Sequence, residues 1–232
     1  MRIAKNIEML EIKGDNGVIY PILAWDEHNL VLIDAGFPGQ IDLITAEIAK
    51  ANRSANDITA IILTHQDIDH IGCVRELLEL APNAQVMAHI EEAPYINGEK
   101  TPIKLAALSA RYDDLPDDMK IMHDKMKAGF ANRRIKIDKF LQDGEILPIC
   151  GDIEIIHTPG HTHGHICLLF RESGVLVGGD AVNIQEGKLI GANPNHTADL
   201  KSAEESFAKI RDLGASFVVA YHGGCYTENT TS

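Results

Sequence analysis

The chain has 232 residues against roughly 150 expected per domain, which points to one large domain or a domain with an insertion rather than two full domains. At this length folding buries roughly 70 to 75% of the unfolded chain's surface, so a core closes without disulfides or structural metal, and any metal is expected to be functional. Hydrophobic residues at 45% and charged residues at 24% exclude a disordered or fibrous chain, and a net charge of −13 disfavours a nucleic-acid partner.

Taken in chain order, the first eight residues carry charges that interrupt every apolar run, and no stretch nears the ~18 apolar residues of a membrane span, so a cytoplasmic protein is expected. Asn6 to Ile12, Val18 to Ala24 and Leu30 to Asp34 read as three strands in hairpins, separated by Gly14-Asp15-Asn16-Gly17 and Asp26-Glu27-His28-Asn29. Ile41, Ile44 and Ile48 recur at helical spacing before the short apolar run from Ile58 to Leu63. A second helix carries Cys73, Leu77, Leu78 and Leu80 and feeds a strand from Gln85 to His89. From 91 to 140 charge density rises, and Leu105, Leu108, Met119, Met122, Met126 and Phe130 sit at helical intervals. That segment reads as a helical insertion whose Met-rich face is ordinary packing or a lid over a pocket.

Glu145 to Pro148, Asp152 to His157, His165 to Phe170 and Gly174 to Gly178 read as short strands, followed by a helix from Ala198 to Leu213 and a strand from Ser216 to Tyr221. The final Thr-Glu-Asn-Thr-Thr-Ser is expected to fray. Two similar halves, each with strands followed by helix and strand, suggest two sheets packed face to face with helices outside both: an α/β, four-layer αββα sandwich spanning 1–232 as one domain. Cys73, Cys150, Cys167 and Cys225 are widely spaced and read as reduced, mostly buried thiols.

The stretch Thr64-His65-Gln66-Asp67-Ile68-Asp69-His70-Ile71-Gly72 lies where an apolar run ends, and it crowds four ligand-type residues into six positions. On an extended segment His65, Asp67 and Asp69 share a side, and His70 joins them where the chain turns. Singly each has a bland reading as a structural histidine or a helix cap. Together, two like-charged aspartates need a compensating cation, and a metal is the simplest one. Three more segments follow apolar runs in the same way: Thr158-Pro159-Gly160-His161-Thr162-His163-Gly164-His165, Gly178-Gly179-Asp180 and Tyr221-His222-Gly223-Gly224. Glycine beside a ligand lets the backbone turn sharply and approach an ion.

In this order, from 65 to 222, the segments resemble the metallo-β-lactamase-fold hydrolase superfamily, and the resemblance covers nearly the whole chain. It implies the metallo-β-lactamase fold with a two-metal site at the sheet edges. It further implies His65 and His161 on the first metal, Asp69, His70 and His222 on the second, and Asp180 bridging. The 18 residues between His161 and Asp180 are typical of several branches. Leu32-Ile33-Asp34-Ala35-Gly36 resembles the family's strand-end aspartate motif, so Asp34 is expected to orient a ligand, with a turn residue as its bland reading. His165 is expected to orient loops through a hydrogen bond, whereas His28, His89, His123, His157 and His196 fall outside the pattern as surface or packing residues. His163 could face the same side as His161, in contact with substrate or ligands.

One departure matters. The signature's H-x-H-x-D-H has Asp67 in place of its second histidine. A carboxylate is a harder ligand and tilts the first site towards iron or manganese, or weakens zinc there. Asp67 is taken as a metal ligand; the alternatives are that it turns aside as an acceptor or that one metal alone binds tightly. Flavodiiron oxygen reductases of the same fold place a carboxylate here and bind two irons, but they carry a flavodoxin domain for which this chain has no room.

The expected cofactors are two divalent ions, zinc first and iron or manganese because of Asp67. They would activate a bridging hydroxide against a small ester-like substrate, lactone or thioester ahead of β-lactam. By the resemblance Asp69 also orients the water and passes a proton to the leaving group. No G-x-S-x-G elbow or H-E-x-x-H helix offers a competing hydrolytic design. The alternatives are an iron-dependent redox enzyme of the same fold and a non-catalytic metal-stabilised binding protein. The expected partner is a small-molecule substrate, with no nucleic acid or membrane, and a homodimer is left open.

Overall fold

The computed structural model describes residues 1–15, 17–131 and 133–227. Its elements in chain order are β1 (Arg2–Ala4), β2 (Ile7–Met9), β3 (Ile12–Gly14), β4 (Gly17–Ile19), β5 (Ile22–Trp25), β6 (Leu30–Ile33), α1 (Ile41–Lys50), β7 (Ala60–Leu63), α2 (Ile68–Ile71), α3 (Val74–Leu80) and β8 (Gln85–His89). Then come α4 (Ala93–Ile96), α5 (Ile103–Ser109), α6 (Asp117–Ala131), β9 (Lys139–Leu141), β10 (Ile146–Leu147), β11 (Ile153–His157), β12 (Ile166–Phe170) and β13 (Val175–Val177). The last are β14 (Val182–Gln185), β15 (Lys188–Gly191), α7 (Leu200–Asp212), β16 (Phe217–Ala220) and β17 (Gly224–Thr227).

Among the described residues these strands build a seven-stranded sheet, β1-β2-β5-β6-β7-β8-β9, and a six-stranded sheet, β10-β11-β12-β13-β16-β17, with two separate hairpins. Side-chain alternation sorts the layers. Val31, Ile33, Ile62, Ile155, Leu168, Phe170 and Val177 meet between the sheets, while Leu32, Ile61, Leu63 and Val86 face outwards onto Ile44, Ile48, Val74 and Leu77 of α1 and α3. On the far side Ile156, Leu176 and Val218 pack against Ile210 of α7. This is the αββα sandwich of the metallo-β-lactamase fold. Strands buried on both faces explain the unbroken apolar runs at β6 and β7.

Several sequence expectations need correction. The runs Asn6 to Ile12 and Val18 to Ala24 each break into short strands, because Leu10 and Pro21 pair outside the ladders, Leu10 N–H donating to Pro21 O. The strand β1, the hairpin β14–β15 and the edge strand β17 were not anticipated, being three or four residues long. Thr227 belongs to β17, and the rest of the supposedly frayed tail, 228–232, lies outside the described residues, as does Asn16 of the first turn. Cys73 and Cys167 are buried, but Cys150 is half-buried and Cys225 exposed; all four are free. The 91–140 segment holds α4 to α6, and its last residues enter β9. Its methionine stripe is not core: Met122 is 40% exposed, and the buried residue of α6 is His123, bonded to Ser109 Oγ at 2.9 Å.

The β5–β6 turn is tied across the sandwich by Asp26, which accepts from the N–H groups of His28 and Asn29 and from Cys150 N–H, each at 2.8 Å. Burial raises this carboxyl, but the donors outweigh it and lower it from 3.8 to about 2. A carboxyl depressed in the folded state adds stability that is present above its unfolded value and lost as pH falls towards 2, about 1 kcal/mol after allowance for solvent screening. Urea unfolding at pH 6 and near pH 2.5 is expected to show the wild type losing that much more than Asp26→Asn; parallel losses would contradict it.

Candidate metal centre

Four strand ends deliver the chemistry to one edge of the sandwich. β7 runs out into Thr64-His65, α2 follows at once, the loop after β11 carries His161, the loop after β13 carries Asp180, and β16 ends at Tyr221-His222. Because the chain enters a helical turn at Ile68, Asp69 does not share the side of His65 and Asp67 as an extended segment would place it. Gly160 makes its loop possible: its φ is +137°, and a Cβ there would sit 2.3 Å from Ala203 N.

The donors fall into two groups. In the first, His65 Nε2 and His161 Nε2 each lie 3.1 Å from Asp67 Oδ2, and His161 Nε2 is 3.4 Å from Asp180 Oδ2. In the second, His222 Nε2 is 3.0 Å and His70 Nε2 3.8 Å from Asp69 Oδ2. Asp180 spans both, with His70 Nε2 3.3 Å from Oδ1 and His222 Nε2 3.5 Å from Oδ2. Within each group one ligand atom per residue lies within 4.8 Å of every other. His65 Nε2, His70 Nε2 and Asp180 Oδ1 are buried and have no hydrogen-bond partner. Buried polar atoms are almost always satisfied, so unpartnered imidazole and carboxylate atoms aimed at one another suit a divalent cation.

The supporting residues fix which ring nitrogen faces inwards. Asp34, at φ +62° and almost fully buried, accepts from Thr64 N–H at 2.9 Å and Thr64 Oγ1 at 2.9 Å and lies 2.8 Å from His70 Nδ1. A left-handed backbone costs a non-glycine residue about 1–2 kcal/mol, and here it turns the carboxylate behind His70, leaving Nε2 for an ion. His165 takes Asp180 N–H on Nε2 at 3.1 Å and reaches Thr158 Oγ1 from Nδ1 at 2.9 Å, joining two of the loops. Burial, first, and then the neighbouring imidazoles hold His165 well below the usual histidine range, so it stays neutral. Asp67 and Asp180 are pulled well below the carboxylate range: burial opposes ionisation, but the facing histidines, with Lys104 at Asp67, outweigh it. His70 is raised well above its usual value, burial being outweighed by Asp34, Asp180 and Asp69, and His222 is raised to about 9 by Asp180 and Asp69 against burial. Such crowding of carboxylates takes up protons where it can and is relieved by cations.

Three residues were missed in the sequence. Glu92 is fully buried and accepts from Gln66 N–H and Nε2, both at 2.9 Å, and from Gly164 N–H at 2.8 Å, so it clamps the His65 loop to the His161 loop. Tyr221 donates to Asp69 O at 2.7 Å, accepts from Gly36 N–H at 3.2 Å and lies on the His70 ring at 3.8 Å. Its place beside His222 was the available signal. Lys104 of α5 reaches Asp67 Oδ2 and lies 3.0 Å from His161 Nε2. Ile103 N–H, one residue before it, donates to Gln66 Oε1 at 2.8 Å, and Ile68 packs under Gly129 of α6, so the 91–140 segment borders the centre.

Of the histidines set aside, His196 is exposed yet lies near enough to Lys104 and His161 to be lowered by them, after burial. His163 is exposed, its carbonyl bonded to His157 Nε2 at 2.9 Å. His89 stacks on His157 at 4.3 Å and 12° and lies beside Glu91. Parallel rings aim their lone pairs side by side rather than at one point, which fits packing.

The family model described as the Metallo-beta-lactamase superfamily matches residues 14–222. The chain is 34% identical to the "Probable metallo-hydrolase YflN" of Bacillus subtilis over 95% of this chain and 84% of that one. It is 28% identical to the "Hydroxyacylglutathione hydrolase GloC" of Haemophilus influenzae over 88% of this chain and 85% of that one. Among solved structures, a metallo-beta-lactamase family protein of Thermus thermophilus superposes with a TM-score of 0.78 at 22% identity, over 98% of this chain and 76% of that one.

Proposed function

The chain belongs to the metallo-beta-lactamase superfamily and is a hydrolase of that family, and from that premise we propose that it cleaves a small thioester or lactone, ahead of a β-lactam, with two divalent ions. The observation that carries this reading is Asp180, whose two oxygens face histidines of both donor groups. His65, Asp67 and His161 would hold one ion and Asp69, His70 and His222 the other, with Asp180 offering an oxygen to each group. Zinc is the first expectation, with iron or manganese favoured by the carboxylate of Asp67. Two such ions would supply a hydroxide at neutral pH and polarise the substrate carbonyl.

Asp34 keeps His70 Nε2 aimed inwards, and His165 ties the Asp180 loop to the loop after β11. By the family resemblance Asp69 would orient the attacking water and carry its proton to the leaving group. The water oxygen would bond to the carbonyl carbon, the carbon–sulfur or carbon–oxygen bond would break, and the leaving group would depart with that proton as a thiol or alcohol, without a protein nucleophile. The chain is one domain in which 91–140 is an insertion shaping the pocket wall. The likeness to a hydroxyacylglutathione hydrolase puts thioesters first. Among the described residues no helix is long and apolar enough to cross a membrane.

Zinc-, iron- and manganese-loaded protein offered a panel of thioesters, lactones and β-lactams is expected to turn over a thioester or a lactone fastest. Inertness towards every thioester and every lactone would overturn the substrate assignment. Asp67 keeps one second reading in view, the iron redox enzyme, for which oxygen uptake by the anaerobically purified iron form would be the sign.

A further inference from the structure

We infer that Lys104 is a tethered cation of the first donor group, which holds Asp67 and His161 in place without metal and must be expelled before an ion can bind there. The inference rests on the metal-dependent reading above. Lys104 Nζ touches Asp67 Oδ2 and lies 3.0 Å from His161 Nε2, two of the four atoms offered by the first group. An ion bound to those atoms would lie about 2.0–2.2 Å from each. The ammonium and the ion would then stand within a few ångströms of one another in a partly desolvated site, where like charges repel more strongly than in water. Both cannot use these atoms at once.

The two groups differ in this respect. Lys104 makes its direct ion pair with Asp67, whereas Asp69 is paired with His70 and His222 and feels the Lys104 charge only through space. Each group has one carboxylate of its own, Asp67 or Asp69, beside the shared Asp180, and the first receives in addition the ammonium delivered by α5. That helix is pinned by Ile103 N–H to Gln66 Oε1, so the lysine is delivered by the backbone of the 91–140 segment rather than by chance at the surface. Its side chain is 26% exposed, which leaves the flexible stem a way out when the ammonium is displaced. The consequence is sequential loading: the Asp69, His70 and His222 group takes the first ion, and the first group fills only at higher metal concentration.

The test uses metal-free full-length wild type, Lys104→Met and Lys104→Arg, titrated with zinc against a chromophoric chelator, with the melting temperature of each metal-free form recorded in parallel. Wild type is expected to bind one ion tightly and one weakly. Lys104→Met is expected to strengthen the weaker step at least about tenfold, leave the tight step unchanged and melt lower when metal-free, while Lys104→Arg stays close to wild type in both measurements. An unchanged weaker step in Lys104→Met, or a metal-free melting temperature equal to that of wild type, overturns the inference while leaving the metal centre standing. Failure of wild type to bind zinc, iron or manganese at all would overturn the metal-dependent reading and this inference together.

Discussion

Asp180→Ala is expected to remove hydrolysis and to drop the metal content from two ions per chain to one or none. Asp180 faces His161 at 3.4 Å on one side and His70 and His222 at 3.3 and 3.5 Å on the other, so it is the one side chain the two groups share. Loss of a residue that merely orients a ligand costs about 10- to 100-fold, and loss of a ligand shared by both ions should exceed that, at least about 1,000-fold in kcat. The fold should survive, because the backbone bond from Asp180 N–H to His165 Nε2 is retained. Circular dichroism, metal analysis and turnover on the best substrate of the panel check the three statements. Two retained ions, or turnover within tenfold of wild type, would contradict the bridging role.

Glu92→Ala is expected to give the largest loss of stability. The carboxylate is fully buried and satisfies Gln66 N–H, Gln66 Nε2 and Gly164 N–H, two of them main-chain donors in the loops that carry His65 and His161. Truncation strands these donors away from water, at about 1–3 kcal/mol for a buried group left unsatisfied, so about 3 kcal/mol or more for the three together. For a chain of this size that corresponds to a fall in melting temperature of roughly 10 °C. Since the clamp joins the His65 and His161 loops, affinity for the first-group ion should fall with it, whereas Glu92→Gln should recover part of the stability by still accepting through its carbonyl oxygen. A Glu92→Ala protein that melts like wild type would contradict the clamp.

Much of the architecture was legible because burial leaves a periodic trace. Ile44 and Ile48 at helical spacing, and the unbroken Ala60–Leu63 run, are what a helix over a two-faced strand must look like. The candidate donors stood out for other reasons: His65, Asp67, Asp69 and His70 are too dense for ordinary surface or core, whereas His161, Asp180 and His222 were picked out through the family resemblance. What stayed hidden depends on closure of the chain. Glu92 meets Gln66 and Gly164 across 26 and 72 residues, and Lys104 meets Asp67 across 37, so neither pairing leaves a local pattern. Asp34 was visible as a strand-end aspartate, but not its left-handed backbone, which only its contacts with Thr64 and His70 require. The β14–β15 hairpin is four residues a side, half exposed and closed at Glu186-Gly187, too short to show alternation.

The most direct test is anomalous diffraction from crystals of the metal-loaded protein. Two peaks flanking Asp180 are expected, one among His65, Asp67 and His161 and the other among Asp69, His70 and His222. The first should weaken before the second as metal is withdrawn. Absence of any peak between these groups, or a lone peak elsewhere such as beside His89 and His157, would contradict the two-ion centre.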